Sequence, residues 1–143
     1  MRLKTKIADC QVIDLGKIHS RSGNITISEG NKLLPFSVKR VYYLYDVPGG
    51  AERGGHAHKN LYQLIVAASG SFDVKLEDGF NSKTLNLNHP YTGLLVTPGI
   101  WREIINFSSG SICLVLASEL FNEIDYIRDY NVFLKYKNDS SAF

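Results

Sequence analysis

Two histidines separated by one residue, His56 and His58, are the side chains of this sequence best suited to chemistry. In a β-strand alternate side chains share a face, so both imidazoles would point into the space that the sheet encloses. Paired imidazoles suit three kinds of site: a metal site, a site of proton transfer near neutral pH, or a hydrogen-bonded pair in the interior. The residues at the other potential ligand positions bear on this choice.

The spacing of glycines and histidines in residues 50–70 resembles the first motif of the cupins, in which two His and a later Glu hold a metal. Gln63 occupies the Glu position, and a neutral amide is a weak ligand. Residues 93–106 resemble the second cupin motif, one residue shorter before Pro98, with Arg102 at the last His position. A guanidinium has no lone pair to donate. The sequence therefore predicts an all-β cupin fold, a double-stranded β-helix or jelly roll, with no metal and no cofactor, and it favours proton transfer by the histidines.

Short apolar runs separated by turn signals indicate the elements that position these residues. The predicted strands are residues 25–27, 40–46, 63–68, 71–76, 83–87, 93–96, 103–107 and 113–118. Gly, Pro, Asn and Ser clusters lie between them, a spacing typical of an antiparallel sandwich or barrel. Apolar residues at intervals of three and four predict one helix over residues 125–134. We expect one domain over residues 1–134 and a frayed tail over residues 135–143.

The composition is that of an ordinary globular chain and excludes several kinds of partner. Hydrophobic residues make up 44% and charged residues 21% of the chain, and the net charge of +2 is mixed rather than clustered. This balance argues against nucleic-acid binding and is compatible with an anionic small molecule. No apolar run approaches the length of a membrane span, and the N-terminus lacks the apolar core of a secretion signal. Cys10 and Cys113 are expected to be reduced thiols in a cytoplasmic protein.

Three further residues are candidates for the site. Arg40 and Tyr42 share one face of the predicted strand 40–46, and a buried phenol needs a partner, so Tyr42 is the tyrosine best placed to join the histidines. Tyrosines of this strand are equally suited to the core, and apolar side chains at nearly every position predict that both of its faces are covered. Arg53 is either a solvated loop charge or an anion clamp, and Trp101 is either a core residue or a platform for a base or sugar ring.

Nearly the whole chain, about residues 9–134, closely resembles the sugar 3,4-ketoisomerases. The resemblance lies in the motifs RGGHAHK at 53–59, GLLVTPGIWRE at 93–103 and DYIRDY at 125–130, with the stretches 27–30, 34–43 and 114–118. It implies a metal-free cupin that acts on dTDP-4-keto-6-deoxy-glucose, in deoxysugar biosynthesis for O-antigen or another surface polysaccharide. It also implies a homodimer with exchanged N-terminal strands, and a hexose pocket lined by His56, His58 and Tyr42. Ser22 departs from the family, which often has Arg or Tyr there.

Moving a ketone from C4 to C3 requires removal of the C3 proton, an enediol, and protonation of C4. We expect His56 to be the main proton shuttle, with His58 and Tyr42 positioning and polarising the oxygens. Arg102 is expected on the sugar or diphosphate and to favour the gluco over the galacto product. Arg53, Gln63 and Trp101 complete the predicted substrate-binding residues. The alternatives are a nucleotide-sugar 3- or 5-epimerase and a non-catalytic sugar-binding cupin.

Overall fold

The computed structural model describes residues 4–139. Its twelve strands are β1 (Gln11–Asp14), β2 (Ile18–Ser20), β3 (Gly23–Ile25), β4 (Arg40–Leu44), β5 (Arg53–His58), β6 (Gln63–Ser69), β7 (Phe72–Glu77), β8 (Ser82–Leu87), β9 (Thr92–Val96), β10 (Trp101–Ile105), β11 (Ile112–Ala117) and β12 (Tyr126–Ile127). A single α-helix in this part of the chain, α1 (Tyr130–Asn138), follows them. Short 3-10 turns occupy Ile7–Asp9 and Glu123–Asp125. Within the described range, no helix is both long and apolar enough to cross a membrane.

The strands form two antiparallel five-stranded sheets, with the orders β1-β9-β6-β11-β4 and β12-β5-β10-β7-β8. Their facing sides share one apolar core, to which Ile65 and Val115 contribute from the first sheet and Phe72 and Val74 from the second. This is the sandwich that the spacing of the apolar runs predicts. Each of the eight predicted runs overlaps an observed strand, although the first begins two residues later than β3.

Strand β6 is buried on both faces, which explains why its sequence is continuously apolar. Ile65 and Ala67 face the central core, whereas Leu64 and Val66 pack on the other side against a second cluster that includes Phe36. The segment between β3 and β4 therefore covers the outside of the first sheet. A strand with two buried faces loses the alternating pattern that marks a half-exposed strand.

Strand β4 lies at the edge of the first sheet, and one of its faces is open. The side chains of Val41, Tyr43 and Tyr45 are 54%, 58% and 62% exposed in the single chain. The prediction that both faces of residues 40–46 are covered is thus wrong for one chain taken alone. Tyr42, on the inner face, packs against the central core.

The helix begins later and ends later than the sequence predicts. Tyr126 and Ile127 pair with His58 and Ala57 of β5, so this part of the predicted helix 125–134 is a strand. The helix starts after Asp129, whose carboxylate accepts a hydrogen bond from the Val132 N–H. Residues 135–138, predicted as part of a frayed tail, belong to the helix. The buried Lys137 ammonium anchors this last turn by donating a hydrogen bond to the carbonyl of Gly99 at 2.9 Å. Residues 140–143 of the tail lie outside the described residues.

Candidate active site

A cavity of about 620 Å³ opens between the two sheets, at the end where β5, β10 and β4 approach one another. Arginines, one histidine, tyrosines and apolar core residues line it. The polar lining residues are Arg40, Tyr42, Glu52, Arg53, His56, Gln63, Arg102, Glu103, Tyr126 and Arg128. A concave site of this volume with convergent polar groups is typical of small-molecule binding.

A bulge in β5 shapes the mouth of this cavity. The pairing of β5 with β10 joins His56 to Arg102 and Arg53 to Ile104, so β5 has one residue more than β10 between these pairs. Gly54, with a φ of +75°, takes up the left-handed conformation that the extra residue requires. The bulge places Arg53 on the cavity lining, as the anion-clamp interpretation requires.

The two histidines lie together on the inner face of β5, with ring centroids 4.8 Å apart and the rings nearly perpendicular. His56 lines the cavity, whereas His58 is fully buried behind it. The Nδ1 atom of His58 lies 2.9 Å from a carboxylate oxygen of Asp125. The Nε2 atoms of both rings are buried and make no hydrogen bond with the described residues. We call His56, His58 and Asp125 the histidine cluster.

Three further predicted residues form a continuous hydrogen-bonded row, which we call the Arg102 chain. Arg102 donates to the Gln63 side-chain oxygen at 2.6 Å, and the Gln63 amide donates to the Tyr42 hydroxyl oxygen at 2.9 Å. Arg102 also donates twice to the Ile100 carbonyl. Because a guanidinium only donates, it fixes the orientation of the Gln63 amide and thereby the direction of the whole row.

The Arg102 chain also occupies the two positions at which a metal-binding cupin has its Glu and its last His ligand. The Gln63 oxygen, the one atom there able to act as a ligand, is already bonded to the Arg102 cation. Among residues 4–139 there is no group of three or more His, Cys, Asp or Glu side chains arranged to hold a metal ion.

Burial and neighbouring cations shift the pKa values of the site. Burial, followed by the positive charges of Arg102, Arg128 and Arg40, lowers the pKa of His56 to about 3. Burial also lowers the pKa of His58, and burial raises the pKa of the Tyr42 phenol. Desolvation lowers the pKa of Arg102 to about 10, so it still carries its charge at neutral pH. Both histidines are therefore neutral and Tyr42 is protonated at pH 7.

Trp101 is the one predicted substrate-binding residue that the structure places elsewhere. It is only 4% exposed and packs against Phe133 of α1 at a centroid distance of 5.7 Å, in a cluster on the outer side of the second sheet. The core alternative for this residue is the one observed. Because it precedes Arg102 in β10, its side chain points to the opposite face of the sheet.

Sequence reasoning missed several residues of the site. The sequence prediction assigns no role in the site to Arg40, and it places Asp125, Tyr126 and Arg128 in the helix 125–134. Tyr126 lies over His58 at 4.3 Å and close to His56 at 5.1 Å. Arg128 lies over the Tyr126 ring at 4.2 Å and forms a two-point ion pair with Glu123. The clustering of charged and aromatic residues in DYIRDY was the available signal.

Comparison with known proteins identifies the family. The family model FdtA, WxcM-like, C-terminal, matches residues 8–138. The chain belongs to the FdtA family. A curated member from Aneurinibacillus thermoaerophilus, TDP-4-oxo-6-deoxy-alpha-D-glucose-3,4-oxoisomerase, is 45% identical over 126 residues, which cover 88% of this chain and 91% of that protein.

Solved structures of FdtA-like ketoisomerases have the same fold. A mutant of the 3,4-ketoisomerase QdtA from Thermoanaerobacterium thermosaccharolyticum, in complex with TDP-4-keto-6-deoxyglucose, is 36% identical with a TM-score of 0.89, covering 91% of this chain and 94% of its own. The WlaRB TDP-quinovose 3,4-ketoisomerase of Campylobacter jejuni is 43% identical with a TM-score of 0.85, covering 89% and 98%. The predicted family, fold class and enzyme class, an isomerase of TDP-sugars, are thereby confirmed.

Proposed function

We propose that this enzyme converts dTDP-4-keto-6-deoxyglucose to dTDP-3-keto-6-deoxyglucose, the gluco product, with His56 as the proton shuttle. The observation that carries the proposal is the pairing of a neutral, cavity-lining His56 with the Arg102 chain on the adjacent strand. His56 supplies a lone pair that can accept a proton from carbon. The Arg102 chain supplies a positive charge and a hydroxyl donor for the substrate oxygens.

His56 has the properties of a general base towards C3. Its Nε2 is buried without a partner, and its lowered pKa keeps the ring neutral and able to accept a proton. The bound diphosphate adds negative charge beside the arginines, so we expect the pKa of His56 to rise in the complex towards the range where proton transfer is efficient. The same ring then returns a proton to C4.

Tyr42 acts as a hydrogen-bond donor to a substrate oxygen. Its oxygen already accepts the Gln63 amide hydrogen, so its own hydroxyl hydrogen remains available. Its raised pKa keeps that hydrogen in place at neutral pH. The predicted substrate-binding role of Gln63 changes accordingly: both ends of its amide are engaged, and it serves to join Arg102 to Tyr42.

Arg102 stabilises the negative charge that develops on the enediolate oxygens. It is 1% exposed, and no carboxylate is among its hydrogen-bond partners in residues 4–139, so its charge is uncompensated by a bonded anion. Such a charge in a low-dielectric site acts strongly on a nearby oxyanion. Arg53, at the mouth, is the proposed contact for the diphosphate.

The gluco product places the C4 hydrogen on the ring face opposite to the one that the C3 hydrogen leaves. If His56 serves both carbons, the enediol must turn in the cavity before C4 is protonated. We infer that the hexose turns within this cavity of about 620 Å³. The name of the 43% identical TDP-quinovose ketoisomerase supports the gluco assignment, because quinovose is the 6-deoxy sugar of gluco configuration.

Incubation with dTDP-4-keto-6-deoxyglucose in D₂O, followed by NMR, tests the activity and its stereochemistry. We expect a 3-keto product whose coupling constants show the gluco configuration, with deuterium at C4 because the turn allows exchange. The Arg102→His variant should increase the galacto fraction. A galacto product from both proteins would refute the role of Arg102. Inversion at C3 or C5 with the ketone left at C4 would show an epimerase, and unchanged substrate would show a binding protein.

We also propose that turnover needs no metal, because the Arg102 cation holds the Gln63 oxygen. Activity should survive dialysis against a chelator, and elemental analysis should find no stoichiometric transition metal. Loss of turnover on chelation, restored by one metal, would contradict this. The free thiols Cys10 and Cys113 support the proposed cytoplasmic location.

A homodimer with exchanged N-terminal strands is also proposed. The hairpin β2–β3 pairs with neither main sheet and leaves Ile18 and Ile25 57% and 60% exposed, and the edge strand β4 has its own open apolar face. Strand β1 pairs with β9 of the same chain here, and exchange would form this pairing between two chains.

Sedimentation tests the dimer. The full chain should sediment as a dimer at micromolar concentration, and Ile18→Lys with Ile25→Lys should dissociate it. Phe80→Lys, at a 65% exposed apolar residue far from the hairpin in sequence, is the matched control. A wild-type monomer would contradict the proposal.

A further inference from the structure

The buried carboxylate of Asp125 contacts both the His58 ring and the backbone of the following loop. One of its oxygens lies 2.9 Å from His58 Nδ1, and the other accepts the Asn60 N–H at 2.7 Å. The Asp125 backbone carbonyl also accepts the Lys59 N–H. Asp125 is 8% exposed and His58 0% exposed, so water does not compete for these bonds.

This contact determines which nitrogen of His58 carries the hydrogen. An ionised carboxylate only accepts hydrogen bonds, so Nδ1 of His58 must be the donor. Burial, followed by the charges of Arg102, His56, Arg40 and Arg128, lowers the pKa of His58, so the ring is neutral. A neutral imidazole with hydrogen on Nδ1 has a lone pair on Nε2, and that atom has no partner in residues 4–139.

The orientation of the His58 ring is fixed as well as its tautomer. Tyr126 is paired with His58 across β12 and β5, and the two ring centroids are 4.3 Å apart. On another side the ring meets His56 nearly at a right angle. His58 therefore has little freedom to turn and present the other nitrogen.

We infer that Asp125 is a positioning residue that holds His58 in the Nδ1–H tautomer, so that His58 Nε2 accepts rather than donates a hydrogen in the site. The inference rests on the proposed function. It replaces the sequence prediction that His58 polarises a substrate oxygen, because that role requires a donor. Neutral His58 in this tautomer instead accepts a hydroxyl hydrogen.

The isomerisation includes a step that a hydrogen-bond acceptor near O3 can assist. Besides the hydrogen that moves from C3 to C4, the hydrogen of the C3 hydroxyl must leave O3 as the new ketone forms, and O4 must gain one. The hydrogen that leaves O3 passes to the neighbouring O4 of the enediolate, with the O3–H bond electrons forming the C3 carbonyl, so His58 and Tyr42 end the cycle with the hydrogens they began with. His58 Nε2 is suited to accept the hydrogen bond from O3–H before this transfer, and Tyr42 is suited to donate one to O4.

The Asp125→Asn variant separates tautomer control from structural support. The amide oxygen can still accept the Asn60 N–H, so the anchoring bond survives. The amide nitrogen would face His58 Nδ1 as a donor, which forces Nδ1 to accept and moves the ring hydrogen to Nε2. Asp129→Asn is the matched control, since this exposed carboxylate caps α1 and an amide oxygen caps equally well.

The readout is the ¹⁵N imidazole spectrum of ¹⁵N-histidine-labelled protein, with the His58 signal identified by its absence in His58→Gln. We expect hydrogen on Nδ1 and a lone pair on Nε2 in the wild type and in Asp129→Asn, and the reverse in Asp125→Asn. We also expect kcat of Asp125→Asn to fall by about 10²-fold or more, within the range of acid and base groups, with KM little changed.

Both the imidazole spectrum and the kinetic measurement can contradict the inference. Wild-type protein with the His58 hydrogen on Nε2 refutes it without any variant, which covers the case of an Asp125→Asn protein that does not fold. A reversed tautomer with normal kcat refutes the catalytic half. If wild-type enzyme fails to isomerise the keto sugar, the proposed function fails, and the spectrum still decides the tautomer.

Discussion

The histidine cluster and the Arg102 chain lie side by side in one cavity but differ in how their hydrogen bonds are used. In the Arg102 chain every link has a donor and an acceptor, ending at the Tyr42 hydroxyl. In the histidine cluster the Nε2 atoms of His56 and His58 have no partner among the described residues. A satisfied network holds its geometry, whereas an open lone pair can exchange protons. The comparison assigns orientation and charge to one group and proton transfer to the other.

The two groups are coupled through charge. The Arg102 cation that favours an enediolate is also, after burial, the strongest influence that lowers the pKa values of His56 and His58. One buried charge thus keeps the base neutral before reaction and stabilises the anion formed when the base has acted. Substitutions in the histidine cluster should therefore cause the larger losses of turnover, and those in the Arg102 chain should lower its rate less or change its product.

The largest effect is expected for His56→Asn. Because this change removes the proposed shuttle, turnover should fall by at least about 10²–10⁴-fold, while substrate still binds through the arginines. The measurement is the initial rate with dTDP-4-keto-6-deoxyglucose, together with substrate affinity by calorimetry. His89→Asn, at an exposed histidine stacked on Tyr91, is the matched control. Near-normal turnover of folded His56→Asn would remove His56 from the mechanism.

A smaller effect is expected for Tyr42→Phe. The ring keeps its packing, and only the hydroxyl that completes the Arg102 chain is lost, leaving the Gln63 amide without its acceptor. Loss of a hydrogen bond to a charged oxygen costs about 1.5–3 kcal/mol, so kcat should fall by about 10–10²-fold with a small change in KM. Tyr43→Phe, on the exposed face of the same strand, is the control. Equal kcat values for the two variants would show that the hydroxyl is not used.

The sequence predicts the site better than it predicts the C-terminal segment. His56, Gln63, Tyr42 and Arg102 come together because strand alternation is strict and each lies on the inner face of a regular strand. Their partner Asp125 was missed because it lies in a 3-10 turn, where no period marks which side chain points inward.

Residues 125–134 show a different reason for error. Their apolar spacing fits a helix, but Tyr126 and Ile127 gain more by pairing with the exposed edge of β5, a contact distant in sequence. The capping carboxylate of Asp129 then starts the helix five residues later, at Tyr130. Trp101 obeys the same alternation of side chains as its neighbour Arg102 in β10. Because Arg102 faces the cavity, this alternation alone predicts that Trp101 lies on the outer face of the sheet.

The smallest expected effect is on stability as pH falls. The pKa of His56 is lowered from 6.5 to about 3, so between these values the unfolded chain binds a proton that the folded chain does not. Stability should therefore decrease as pH drops below 6.5, by at most about 1.4 kcal/mol per pH unit for this residue. Urea unfolding at pH 7, 6 and 5 should give a shallower decline for His56→Asn than for wild type, whereas His19→Asn, at an exposed histidine, should keep the wild-type slope. Identical slopes for wild type and His56→Asn would show that His56 is already protonated in the folded protein, and the neutral base on which the comparison rests would be lost.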